Sequence, residues 1–228
     1  MIECDFKSPQ LIKAISDIEA VNMTNIGVFI AFTIVGLWSA SLVLLLLLDT
    51  SKFQIPLIVS AILWQTFLYT GLFITAHDAI HGVVFAKNPK INNWIGRIAV
   101  IIDALFSYKN SVKKHWLNHQ QPGTEADPDF DNNQYQNVFA WYFRFMKSYL
   151  DLRQLFGLAL IFNILNIAFK IPEINLNLFW IIPSILSSIQ LFHFGTFIPH
   201  KRMEGVYTNL LRIYIVRKAF HYLLCGRL

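Results

Sequence analysis

The stretch Ile26–Leu48 reads IGVFIAFTIVGLWSASLVLLLLL, 23 residues without a charge. About 20 apolar residues in a helix cross the hydrocarbon core of a bilayer, so this run alone takes the chain out of the ordinary soluble classes. Working outward, Phe53–His77 supplies 25 more uncharged positions and Ile174–Pro199 another 26. Gln154–Phe169 is uncharged for 16 residues, short of a span by itself, with Leu152 placed to lengthen it. The first run is too long and too far from Met1 for a cleaved signal peptide, and the opening MIECDFK is as acidic as it is basic, so it reads as a retained span. The expected fold class is all-α integral membrane: about four transmembrane helices in two hairpins, with interfacial helices and a cytoplasmic histidine-rich region, in a single domain over residues 1–228.

Composition agrees. Of the 228 residues 55% are hydrophobic and 14% charged, against about 25% charged in a soluble domain. Mean hydropathy is +0.46. A disordered chain is excluded and an ordinary soluble enzyme disfavoured. Cys4 and Cys225 sit near opposite ends, which leaves neither a disulfide scaffold nor a thiolate metal site.

Asp49–Lys52 and Lys170–Glu173 are long enough only for tight turns, whereas Asp78–Arg153 is a long connection. Placing that connection and both tails on one side gives that side 17 of the 19 Lys and Arg, leaving Lys52 and Lys170 opposite. The positive-inside rule makes the crowded side cytoplasmic, in a cell inner membrane or a thylakoid. Within the connection, Ile91–Tyr108 is apolar but broken by Arg97 and Asp103, which suits an interfacial or re-entrant piece. Val138–Leu152 mixes Phe139, Trp141, Tyr142, Phe143, Phe145 and Tyr149 with Arg144, Lys147 and Asp151, the pattern of a helix lying on the membrane surface.

Six of the seven histidines fall at the expected cytoplasmic edge. His77 and His81 are four residues apart, and His115 and His119 repeat that spacing; on a helix each pair shares a face. His193 and His200 lie near the end of the last apolar run. Two such pairs at one membrane face point to metal binding, because imidazole ligates Zn, Cu, Fe or Ni. The absence of thiolates disfavours iron–sulfur and structural zinc sites, and no Glu-x-x-His pair is present. Asp78 is placed either to orient the His77 ring, to cap the helix end, or to pair with a lysine. A histidine-rich site reached from lipid suits oxidation of an apolar substrate.

These residues also carry a resemblance. His77-Asp-Ala-Ile-His81-Gly, Ile91-Asn-Asn, Ile95-Gly, Leu105-Phe-Ser-Tyr-Lys, Lys114-His115 through His119, Pro122-Gly-Thr-Glu, Asp127-Pro-Asp-Phe130 and Ile189 through Pro199-His200 resemble, in order, blocks of the β-carotene ketolases within the membrane fatty-acid desaturase superfamily. The likeness covers about residues 75–207. It implies a histidine-ligated centre of two iron ions that uses O₂ and electrons from a donor such as ferredoxin to convert C4 of a β-ionone ring to a ketone. The implied substrate is a β-carotene-like carotenoid taken from the lipid bilayer, with no nucleic acid involved. By position, His77, His81, His115 and His119 would be catalytic metal ligands and His200 a further ligand, with His193 either a ligand or a helix-packing or substrate-lining residue.

Two departures alter the expectation. The second box of the family reads H-x-x-H-H, whereas here Asn118 precedes His119, and an amide oxygen is a weaker metal donor than imidazole. A third H-x-x-H-H box expected beyond His200 does not occur before Leu228, and residues 208–228, with Arg212, Arg217, Lys218 and a lone His221, no longer resemble the family. That tail reads as an amphipathic surface helix produced by truncation or frameshift. The chain as written is then expected to bind at most one metal well and to have little ketolase activity. Competing readings are a fatty-acid desaturase acting on an acyl chain, a non-catalytic remnant of the family, and a histidine-lined metal transporter; against the last, no acidic residue lies inside the three clear apolar runs.

Overall fold

The computed structural model describes residues 9–121, 124, 127–129 and 137–198, with side chains described from Ile26 onward. His200, His221, the tail 208–228 and much of the Pro122–Phe130 block lie outside these residues. Every regular element among the described residues is helical: α1 (Pro9–Leu46), α2 (Ile55–Ile80), α3 (Pro89–Ala104), α4 (Tyr108–Gln120), α5 (Val138–Tyr149), α6 (Leu152–Ala168) and α7 (Glu173–Phe197). The last residues of α6, Ile164–Ala168, are π-helical, as are Asn177–Ile181 and Phe192–Phe197 within α7.

Three segments are long and apolar enough to cross a membrane, Ile26–Leu46, Ile55–Ile80 and Glu173–Phe197. Their outward side chains are apolar, with Phe29 71% and Ile55 76% exposed, a surface that lipid and not water would cover. The protein is an all-α membrane protein. The expected fourth span, α6, meets the length test only together with α5, from which it bends by 87°. The break is built locally: Leu150 and Asp151 are extended, and Asp151 forms a capping box with Gln154 that starts α6 afresh. α5 thus runs nearly perpendicular to α6, as a surface helix would.

α1 departs from expectation by beginning at Pro9, well before the apolar run. Pro9 suits a first helical position, and no Gly or Pro follows until Gly27, so nothing stops the helix where the polar residues begin. At the other end of α1 the two tight turns are tied together. Asn175, 1% exposed, donates to the carbonyls of Leu46 (3.0 Å) and Leu48 (2.7 Å), groups that the helix end leaves without partners. Between the helices, Ser41 donates to Gln65 (2.8 Å) and the hydroxyls of Thr70 and Ser187 meet at 3.0 Å.

α2 ends in a Schellman motif. Gly82 takes a left-handed φ of +76°, its N–H donates to Ala79 (3.1 Å), and the Val83 N–H donates to Asp78 (3.1 Å). This stop leaves His77 on the last turn of α2 and His81 at its C-cap. Asn88 then caps α3 by accepting from the Lys90 and Ile91 amides. α3 folds back along α2: Asn92 donates to the Ala79 carbonyl (2.6 Å), while Ile102 packs on Trp38, Leu68, Tyr69 and Leu72. From Ala79 to Tyr69 is about 15 Å of helix, so α3 lies antiparallel along α2 over that length. Gly96 makes this approach possible, because a Cβ there would lie 2.7 Å from the Ala79 Cβ and 2.4 Å from Tyr108 Cε2. Tyr108 opens α4, which returns toward the end of α2 carrying the second histidine pair.

Candidate metal centre

The two pairs predicted from spacing meet. His77, His81 and His115 each offer a ring nitrogen such that all three lie within 4.8 Å of one another. The Nε2 atoms of His81 and His115 are 2.8 Å apart, and those of His119 and His115 are 2.9 Å apart. Ring centroids of His77 stand 4.7 Å from those of His81 and His115, in edge-on arrangements. Trp116 sets its indole edge-on to His81 (5.8 Å) and His115 (6.0 Å) and tilted over His119 (5.8 Å).

The distances carry a chemical constraint. His115 Nε2 bears either one lone pair or one proton, so it cannot serve both neighbouring Nε2 atoms in ordinary hydrogen bonds. One cation resolves the conflict: two nitrogens bound at ~2.1 Å and about a right angle apart lie ~3.0 Å from each other. Burial above all, and then the imidazoles of His77, His119 and His81, push His115 down to about 3, leaving it in the neutral form that ligates metals. His77, His81 and His115 therefore fit a single metal ion, with His119 adjoining His115 at the edge of the cluster.

The remaining candidates are placed as follows. The Asp78 carboxylate lies 3.5 Å from His77 Nδ1, at the outer limit of a hydrogen bond. His193 is exposed, and its ring neighbours are Phe194 (5.1 Å) and Phe197 (5.6 Å, nearly parallel). His200 lies outside the described residues. Asn118 is half-buried on α4, with its Nδ2 donating to Asp127 Oδ1 (2.9 Å) and Asp129 Oδ2 (3.3 Å).

From the sequence, Asp127 and Asp129 have only a place in the resemblance and Trp141 and Tyr149 read as rings of a membrane-surface helix, whereas Trp141 is 2% exposed and both rings hold the 127–129 loop. Asp127 is 3% exposed and accepts from the Asp129 amide (2.9 Å). Asp129 accepts from the Tyr149 hydroxyl (2.8 Å), and its carbonyl accepts from Trp141 Nε1 (3.1 Å). Burial and then Asp129 raise the Tyr149 phenol well above its ordinary value, so it stays a donor. Lys114 adds a bond to the Ser148 carbonyl and lies over the Tyr149 ring at 4.3 Å. α4, the 127–129 loop and α5 are thereby one unit. The available signal was two carboxylates flanking Pro128 in an otherwise polar loop.

α5 also meets the end of α7. Trp141, 2% exposed, sets its ring edge-on to Phe192 (5.8 Å) and Phe197 (5.4 Å), and the Tyr142 hydroxyl meets that of Ser188 at 2.6 Å. Phe192–Phe197 is the second π-helical stretch of α7, the kind of local irregularity that recurs at functional sites.

Comparison with known proteins adds the following. The fatty acid desaturase family model matches residues 53–176. The chain is 35% identical to the zeaxanthin 4-ketolase of Chlamydomonas reinhardtii, over 78% of this chain and 42% of that protein. It is 34% identical to β-carotene 4-ketolase 3 of Haematococcus lacustris, over 78% of this chain and 62% of that protein. It is 35% identical to the β-carotene ketolase of Paracoccus sp. (strain N81106 / MBIC 01143), over 79% of this chain and 73% of that protein. The chain spans roughly half the length of the first curated relatives it matches. No solved structure matches it.

Proposed function

The chain belongs to the fatty acid desaturase family, and from that premise we propose that it is a membrane iron oxygenase acting on a carotenoid, converting the C4 methylene of a β-ionone ring to a ketone. The observation that carries this reading is the convergence of four imidazoles from α2 and α4, with Nε2–Nε2 separations of 2.8 and 2.9 Å. The likeness to carotenoid ketolases supports the choice of substrate over an acyl chain. His77, His81, His115 and His119 hold the metal, with Asn118 as an oxygen donor. His200 and His193 are further candidates, and Asp78 orients the His77 ring. Two irons are the family expectation, and the donors brought together among the described residues suit one well-held ion.

Iron bound there would supply the activation of O₂ needed to oxidise an unactivated C–H bond. The chain's own residues do the rest. Neutral His115 needs no deprotonation before it ligates. Trp116 packs against the rings of His81, His115 and His119 and helps to hold them in place. The apolar outward faces of α1, α2 and α7 let a hydrocarbon approach through lipid. Each oxidation takes one O₂, two electrons and two protons, inserts one oxygen atom and releases one water. The second gives a geminal diol that loses water to the ketone. The electron donor is a soluble one-electron carrier of the ferredoxin type, reaching a cytoplasmic face whose excess of Lys and Arg sets the orientation.

The test is expression of the chain in a β-carotene-producing bacterium, with membrane insertion confirmed by blot and pigments separated by chromatography. Keto-carotenoids above the empty-vector background support the reading, at a rate held low by a single well-bound ion. New acyl unsaturation in their place would favour the desaturase alternative. Iron-loaded membranes yielding neither product would overturn the proposal.

A further inference from the structure

We propose that Asp127 and Asp129 are positioning residues that turn the amide oxygen of Asn118 toward the histidine cluster, making this position an oxygen donor to the metal. The inference rests on the reading above that the cluster holds a metal ion.

An ionised carboxylate only accepts hydrogen bonds, so an amide facing two of them presents its NH₂ group, whose two hydrogens match Asp127 Oδ1 (2.9 Å) and Asp129 Oδ2 (3.3 Å). The reverse orientation would set a carbonyl oxygen against both carboxylates. The amide nitrogen and oxygen diverge from one carbon, and with the nitrogen spent on the loop the oxygen faces away from it. Asn118 Oδ1 accepts no hydrogen bond among the described residues. The residue follows His115 by three positions and adjoins His119, so it borders the ligand face of α4.

The two carboxylates are themselves fixed. Asp127 is nearly inaccessible and takes the Asp129 amide, while Asp129 is gripped by the Tyr149 hydroxyl and, through its carbonyl, by Trp141 Nε1. Both of these last donors come from α5, so the orientation of Asn118 is set by a different helix from the one that carries it. An imidazole at this position would use the same polarity, giving its N–H to a carboxylate and its lone pair to the metal. The amide reproduces that division with an oxygen in place of the nitrogen.

The test uses the full chain in detergent micelles with Co(II) as the probe, reading affinity by chelator competition and geometry by visible absorption. Asp127→Asn and Asp129→Asn are each expected to lower Co(II) affinity ~10–100-fold and to change the spectrum. Asn118→Asp, although a carboxylate is the stronger ligand, is expected to weaken binding as well, because it puts a third negative charge beside the other two. Adding Asp129→Asn to Asn118→Asp exchanges donor and acceptor and should restore affinity to within a few-fold of the parent. The proposal is overturned if Asn118→Asp alone tightens binding, or if the parent binds no Co(II). It is equally overturned if the Asp129→Asn chain loses thermal stability while Co(II) affinity and spectrum stay those of the parent. A parent that binds metal and responds as expected but makes no ketone leaves this inference standing and removes the oxygenase reading.

Discussion

His81 and His115 are 34 residues apart in the chain, yet their Nε2 atoms lie 2.8 Å from each other. Nothing local enforces that distance: it depends on the Schellman stop after His81, the backward run of α3, and the close passage of Gly96 between Ala79 and Tyr108. Because His115 Nε2 also lies 2.9 Å from His119 Nε2, His115 is the hub of the cluster. Replacing it with Ala should remove more metal than replacing His119. Loss even of a group that only orients a ligand costs ~10–100-fold in affinity, and His115→Ala is expected to exceed that. Metal analysis of chains purified in detergent checks this; equal metal content in H115A and the parent would refute it.

Acid should destabilise the metal-free chain in a definite window. His115 remains neutral in the folded state down to about 3, whereas an imidazole in the unfolded chain takes up its proton near ~6.5. Between those values the unfolded state binds more protons, so folding stability falls as pH is lowered, while above the window His115 contributes no slope. Thermal unfolding in detergent should therefore show a falling midpoint from pH 7 toward pH 5, and His115→Gln should flatten that fall. A variant with the parent's full slope would show that other groups dominate.

Asn175 ties the two tight turns at the far end of the bundle. With Leu in its place the carbonyls of Leu46 and Leu48 lose their buried donor, a cost of about 1–3 kcal/mol. Asn175→Asp should do no better, since it sets a carboxylate against those carbonyls. Because α2 runs from this end to the histidines, Co(II) affinity should be unchanged while the unfolding temperature drops. A change in metal affinity of tenfold or more would contradict the separation.

The histidine pairs were legible because an i, i+4 spacing is a property of one helix, as were the apolar runs that became α1, α2 and α7. The start of α1 at Pro9 was not, because a helix continues wherever nothing breaks it and polarity alone does not end it. Asn92, Gly96 and Asn175 were invisible as structural residues for a different reason. Each is defined by its partner on another element, the Ala79 carbonyl, the Tyr108 ring and the end of α1, and sequence spacing carries no such information. Asn118 shows both limits at once. Its departure from an imidazole was plain in the sequence, while the carboxylates that decide which way its amide turns come from a loop nine and eleven residues away.

Gly96 offers the sharpest test of the route by which packing reaches the metal. A Cβ at this position would meet Tyr108 Cε2 at 2.4 Å and the Ala79 Cβ at 2.7 Å, and neither neighbour has a flexible end to swing aside. Gly96→Ala should cost about 1–3 kcal/mol by overpacking, and Gly96→Val more. Unlike Asn175→Leu, it should also weaken Co(II) binding, because Tyr108 opens α4 and its displacement moves His115 and His119 relative to His77 and His81. Gly36, where an added Cβ meets nothing within 4 Å, is the control: Gly36→Ala in the middle of α1 should raise stability by up to about 1 kcal/mol and leave metal binding alone. If Gly96→Ala lowers the unfolding temperature and yet binds Co(II) as the parent does, then the α2–α3 crossing and the placement of α4 are independent, and the histidine geometry is held by contacts other than Tyr108.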